Sequence, residues 1–142
     1  MIGQDIDECH EPARKTPSRN EQLVLGVLKD SDAPLGAYQI LSKLEGEGIK
    51  SPLQVYRALR RLQATGEVHR LESMNAFVLC RQSCSQTHRP SDVVFVICDR
   101  CGAVEELRDD ALFDAMRRTT DARKFSLDTS MIEVRGICCS CI

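Results

Sequence analysis

Residues 51–80 read SPLQVYRALRRLQATGEVHRLESMNAFVLC, and this stretch decides the architecture of the first half. Ser51-Pro52-Leu53-Gln54 opens a helix: a capping residue, Pro at the first helical position where its missing N–H costs nothing, and Gln three residues after the cap. Val55, Leu59 and Leu62 recur on one side at helical spacing, and Gly66 marks the end. Val68–Leu71 and Phe77–Cys80 are then two short extended runs joined by Glu72-Ser73-Met74-Asn75-Ala76, the pattern of a hairpin.

Upstream, two more helical patterns precede this one. The first starts either at Thr16-Pro17 or at a capping box of Ser18 with Glu21, and carries an apolar stripe of Leu23, Val24, Val27 and Leu28. Asp30-Ser31-Asp32 breaks it. The second runs from Gly36 to about Glu45 with Ala37, Ile40, Leu41 and Leu44 inside, and Gly46 and Gly48 end it. Helix, helix, helix and a two-stranded wing describe a winged helix-turn-helix. Downstream the pattern changes to strands: Val93–Ile97, a turn at Cys98–Gly102, Ala103–Leu107, then a helix over Asp109–Thr120 and a strand near Ser130–Val134. The reading is therefore an α+β chain. An acidic tail (1–15) precedes a winged-helix domain (16–80), a linker (81–91) and a small α/β domain (92–142).

Composition narrows the function. The chain has 142 residues, 42% hydrophobic and 28% charged, which is the balance of a globular protein. Its longest apolar run, Val93–Cys98, is strand-sized and far short of the ~20 residues of a membrane span. The acidic start MIGQDIDECHEPARK has no apolar stretch of the secretory kind, so the sequence predicts a cytoplasmic protein with no membrane partner. Eight cysteines in a reducing compartment point to metal ligation rather than disulfides.

The net charge of −2 hides an uneven distribution. Residues 1–11 hold Asp5, Asp7, Glu8 and Glu11 without a Lys or Arg, whereas Lys50, Arg57, Arg60, Arg61 and Arg70 face only Glu67 between positions 50 and 70. On the third helix, the side away from Val55, Leu59 and Leu62 carries Gln54, Arg57, Arg60 and Arg61, with Tyr56 nearby. In a helix-turn-helix that position reaches base edges in the major groove, and Arg can read guanine through two hydrogen bonds. A solvated surface helix is the plainer alternative. The wing that follows favours DNA.

Cys98-x-x-Cys101 and Cys138-x-x-Cys141 have the spacing of a structural zinc site, each pair in a tight turn so that both sulfurs meet one ion. A redox Cys-x-x-Cys normally opens a helix after a strand, and here strand follows turn. Cys139 offers a third sulfur in the last turn, so an exchange with Cys138 stays open. Three histidines remain: His10 in the tail, His69 in the first wing strand and His88 in the linker. His69, Cys80 and His88 collect at the junction of the halves, where Glu105 or Glu106 would complete a mixed N/S/O tetrahedron suited to Zn²⁺. Four ligands leave no open position for a substrate water, which argues against an enzyme and against a small organic substrate.

The segments PLGAYQIL, SPLQVYRALRRLQATGEVHRLESMNAFVLC, FVICDRCGAVEEL and IEVRGICCSC occur in this order and resemble the ferric uptake regulator superfamily, most closely its zinc-sensing branch. The resemblance spans Thr16 to the C-terminus. It implies a homodimeric, metal-dependent repressor of palindromic operator DNA, with the α/β domain as the dimerisation domain. It also implies two Zn²⁺ per chain. One is structural on Cys98, Cys101, Cys138 and Cys141; the other is regulatory on His69, Cys80, His88 and Glu106, with Cys84 a substitute for His88. Tyr56 and Arg57 fall on the DNA-contacting pair of the recognition helix. The linker RQSCSQTHRPSD lacks the His-rich run of the iron, nickel, manganese and peroxide branches, which favours zinc and control of zinc uptake genes. Three departures stand out: Pro12 and an acidic stretch replace an N-terminal helix, Gln54 stands where Thr is common, and Cys9 and His10 have no counterpart.

Overall fold

The computed structural model describes residues 16–81, 92–128 and 130–142. α1 (Arg19–Asp30) starts at Ser18, whose Oγ accepts the Glu21 N–H at 3.3 Å while Glu21 Oε2 accepts the Ser18 N–H at 3.3 Å. This reciprocal box satisfies two orphan donors at once, and it sets the start in place of Thr16-Pro17. α2 (Ala37–Lys43) stops two residues before Glu45 because the chain already turns at Leu44, ahead of Gly46 at φ 89°. α3 (Pro52–Ala64) begins at the Ser51-Pro52 signal, and Gly66 at φ 78° swings the chain back into the hairpin.

The three helices enclose Val24, Leu28, Ile40, Val55, Leu59 and Leu62, and the hairpin closes this core with Val68 and Phe77. The hairpin pairs β1 (Val68–Leu71) with β2 (Ala76–Leu79), Val68 opposite Leu79 and Leu71 opposite Ala76. β2 lies one residue earlier than the sequence pattern suggests, because Asn75 at φ 47° closes the turn and Ala76 already pairs. A further contact was not visible in the sequence: Leu35 and Phe77 exchange both backbone hydrogen bonds, at 3.1 and 2.8 Å. It ties the α1–α2 connection to the wing.

The second half is a three-stranded sheet of order β4-β3-β5. β3 (Val93–Cys98) is central, with β4 (Val104–Leu107) antiparallel and β5 (Met131–Gly136) parallel to it. A parallel neighbour requires a crossover, supplied by α4 (Asp110–Asp121), which Asp109 caps by accepting the Leu112 N–H at 3.1 Å. Phe113 of α4 is buried, and Arg117 forms an ion pair with the nearly buried Asp92 at the head of β3. No described helix is long and apolar enough to cross a membrane.

The hairpin belongs to both halves. Leu71, Met74 and Val78 leave the helical core and pack on Val93, Phe95 and Val104 of the sheet. Leu59 is 1% exposed at the centre of the helical core, so Leu59→Ala is expected to cost about 2–5 kcal/mol. Urea unfolding followed by helical circular dichroism measures this as a lowered midpoint at unchanged slope; a loss below about 0.5 kcal/mol would contradict this packing.

Candidate metal centres and a basic helix face

Cys98 is the last residue of β3, and the turn after it is closed by the Gly102 N–H donating to the Cys98 carbonyl at 2.9 Å. Gly102 at φ 74° supplies the left-handed step that brings Ala103 back to accept the Cys98 N–H at 2.9 Å. Parallel pairing carries β5 alongside β3 as far as Gly136 opposite Cys98, so the C-terminal turn arrives at the same place. There the Cys138 N–H donates to Cys98 Sγ at 3.3 Å, and the Cys141 N–H to the Cys138 carbonyl at 2.9 Å. Arg100 brackets the turn by donating to the Cys141 carbonyl at 2.6 Å, and Arg135 pairs with Asp99 at 2.6 Å.

The sulfurs of Cys98, Cys101, Cys138 and Cys141 all lie within 4.8 Å of one another. Cys101 and Cys138 are 3.7 Å apart, against about 3.8 Å for the edge of a tetrahedron with ~2.3 Å Zn–S bonds. The turn brings in Cys138 and leaves Cys139 exposed outside the cluster. N–H groups of Cys138 and Cys101 aimed at Cys98 pull its thiol down to about 6. Hydrogen bonding with the sulfurs of Cys138 and Cys101 pushes Cys141 up to about 12. Four thiolates this close repel one another, and a divalent cation at their centre is the chemistry that lets all four ionise.

A second group, His69, Cys80 and Glu106, also has ligand atoms within 4.8 Å of one another. His69 lies on β1, and Cys80 follows β2, where its N–H donates to the Glu67 carbonyl at 2.8 Å. Glu106 lies on β4 opposite Phe95. Strand alternation turns Glu106 inward and leaves Glu105 exposed, which separates the two candidates that spacing alone left open. Cys80 Sγ is 3.8 Å from Glu106 Oε1, and the Arg81 N–H donates to Oε2 at 3.3 Å. The His69 ring meets Phe95 edge-on at 5.4 Å, and its Nε2 is buried without a hydrogen-bond partner among the described residues. Burial pushes the His69 imidazole below its usual range, with nearby Glu106 opposing, and so favours the neutral form a metal needs. A thiol, a carboxylate and an orphaned imidazole nitrogen converging in this way fit a zinc ligand set. His88 and Cys84 lie in residues 82–91, and Cys9 and His10 in residues 1–15, all outside the described residues.

One residue beside this group escaped the sequence reading. Arg108, nearly buried, donates to Glu106 Oε1 at 3.5 Å and reaches Cys80 Sγ at 4.0 Å. It stands two positions after Glu106, and the period-two rule of strands is the signal that would have placed both on one face.

On α3, Val55, Ala58, Leu59 and Leu62 face the core, while Tyr56, Arg57 and Arg60 are exposed. Arg61 reaches back to Glu21 of α1 at 3.5 Å with most of its side chain in solvent. Gln54 is placed differently from the other four. Its Oε1 accepts the Lys50 and Ser51 N–H groups at 2.8 and 3.3 Å, so its carbonyl serves the helix cap. Tyr38, at the start of α2, is 69% exposed, a position the sequence reading did not single out.

The sequence profile of the ferric uptake regulator family matches residues 11–135, most of the chain. The chain belongs to the ferric uptake regulator family. It is 38% identical over 130 residues to the zinc uptake regulation protein of Escherichia coli (strain K12), which covers 91% of this chain and 73% of that one. Among solved structures it is similar to a zinc uptake regulator complexed with zinc and DNA, with a TM-score of 0.79 at 34% identity over 88% of this chain and 82% of that one. It is likewise similar to holo XcZur, with a TM-score of 0.76 at 35% identity over 87% and 84% of the two chains. A ferric uptake regulator from Francisella tularensis with iron shares the fold alone, at 18% identity and a TM-score of 0.60.

Within this family member the four-sulfur cluster joins the C-terminal turn to β3, so its loss should be felt as stability. Cys101→Ser is expected to remove one tightly held ion per chain and to lower the melting temperature. Metal analysis by mass spectrometry alongside calorimetry checks both, and unchanged melting would contradict a structural role.

Proposed function

We propose that the chain is a zinc-responsive transcriptional repressor that binds palindromic operator DNA as a homodimer in the cytoplasm and controls zinc uptake genes. The observation that carries this reading is the composition of the second cluster: His69 and Cys80 belong to the hairpin, Glu106 to the sheet. Coordination there would supply bonds between the two halves of the molecule. Cys98, Cys101, Cys138 and Cys141 form the structural site. His69, Cys80 and Glu106, with His88 from the linker, form the regulatory one, two Zn²⁺ per chain. The names of the 34–38% identical relatives favour zinc over iron or manganese.

The chain's own residues supply the rest. Tyr56, Arg57, Arg60 and Arg61 present phosphate- and base-binding groups on one face of α3, and Gln54 holds the start of that helix. β5 is an edge strand of the sheet and carries exposed Met131 and Val134, with Ile137 just beyond it. An apolar edge of this kind supports pairing with a second copy. Two-fold symmetry would then set two α3 helices toward successive major grooves. Holding the hairpin on the sheet reduces the freedom that DNA must otherwise remove, a coupling of about 1–3 kcal/mol per event.

Cys80→Ser tests the reading. DNA binding is measured across buffered free Zn²⁺, with Fe²⁺ and Mn²⁺ in parallel. The variant is expected to stay folded, to keep the four-cysteine ion and to lose at least tenfold in zinc-dependent affinity. A normal zinc response would overturn the regulatory assignment, and a response to Fe²⁺ alone would overturn zinc as the signal.

A further inference from the structure

Phe95 sits in the middle of a cross-strand row, with Glu106 of β4 on one side and Glu133 of β5 on the other. All three meet the hairpin. Phe95 packs on Leu71 and touches the His69 ring, while Glu106 accepts the Arg81 N–H where the chain leaves the hairpin. Glu133 grips the opposite end. Its Oε1 accepts the Glu72 N–H at 2.6 Å and its Oε2 the Ser73 N–H at 3.0 Å, across 61 and 60 residues of chain.

Two consecutive backbone donors on one carboxylate make a charge-assisted, two-point grip that fixes orientation as well as distance. Burial opposes ionisation of Glu133, but hydrogen bonds from Ser73 and Glu72, with Arg135 nearby, outweigh it and hold the carboxyl below its usual range. The two grips differ in kind. Glu106 shares its carboxylate with Cys80 and Arg108 and belongs to the cluster read above as regulatory, whereas among the described residues the Glu133 carboxylate is taken up by the Glu72 and Ser73 N–H groups and lies outside that cluster.

We infer that Glu133 is a positioning residue for DNA binding: it holds the tip of the wing to the dimerisation sheet as a metal-independent pivot, about which the far end of the hairpin is set by the regulatory cluster. This rests on the zinc-repressor reading. A pivot at the tip turns a closure at the Cys80 end into a defined rotation of the winged helix; without it the tip is held only by the non-directional apolar packing of Leu71 and Met74 on the sheet. Position 133 also lies on the edge strand proposed for dimer contact, so the pivot is referred directly to the partner copy and its α3.

The test uses the full chain loaded with zinc. Glu133→Gln keeps the volume but replaces one acceptor oxygen with an NH₂ that cannot receive a backbone N–H. It is expected to retain two zinc ions per chain, to lose about tenfold in DNA affinity at saturating zinc, and to speed hydrogen exchange at the Glu72 and Ser73 amides at least tenfold, the scale of lost charge-assisted hydrogen bonds. In the Cys80→Ser protein those two amides should stay as protected as in the wild type, because the pivot does not need the regulatory ion. Wild-type DNA affinity in Glu133→Gln would overturn the inference. So would unprotected Glu72 and Ser73 amides in the wild type, a measurement that needs no variant to fold. Failure of the zinc-repressor reading looks different: the wild-type protein itself would bind DNA without regard to zinc.

Discussion

The burial of Phe95 beneath the hairpin is the constraint on which the arrangement of the two halves depends. The ring is nearly inaccessible to solvent and lies in the central strand, so its neighbours in register, Glu106 and Glu133, must share the face it presents. A carboxylate beside a buried ring is costly to hold unless hydrogen-bonded. Backbone N–H groups of the hairpin, at Arg81 and at Glu72 and Ser73, meet that need. The hairpin is thus packed on the sheet by Leu71, Met74 and Val78 and oriented by polar contacts at its two ends. His69 is carried along on the same ribbon, which is why an imidazole from a wing strand meets a carboxylate from β4.

Parallel pairing of β5 with β3 does comparable work at the other end of the sheet. An antiparallel final strand would have delivered its last residues to the Val93 end, far from Cys98. The crossover through α4 brings them to Cys98 instead, and four sulfurs converge. The same strand leaves Met131 and Val134 at an open edge, so one topological choice serves the four-sulfur cluster, the exposed edge and the placement of Glu133.

Electrostatics is arranged locally rather than globally. A chain of net charge −2 still presents Arg57 and Arg60 beside Tyr56 on one exposed helix face. At physiological salt, fields decay over about 8 Å, so the charges on this face, rather than the net charge of the chain, set the field just outside it.

Local signals carried much of the fold. The Ser51-Pro52 start, the Gly66 stop, the hydrophobic stripe of α3 and the short alternating runs of the hairpin are decided within a few residues, where capping and side-chain period act, and so they were legible in order. Cys-x-x-Cys spacing is local in the same sense: a tight turn is enough to pair two sulfurs. What joins distant segments was not legible. Nothing near Leu35 announces its bonds to Phe77, and nothing around Glu133 points to a turn sixty residues earlier. The choice of Glu106 over Glu105 and of Cys138 over Cys139 depends on which face of a strand or turn looks inward. The sequence by itself therefore determined the elements, their order and the types of residue available for metal and phosphate. Only the tertiary structure decided which of them meet, because backbone donors and buried rings find their partners through sheet register and packing, and these couple residues that no local pattern connects.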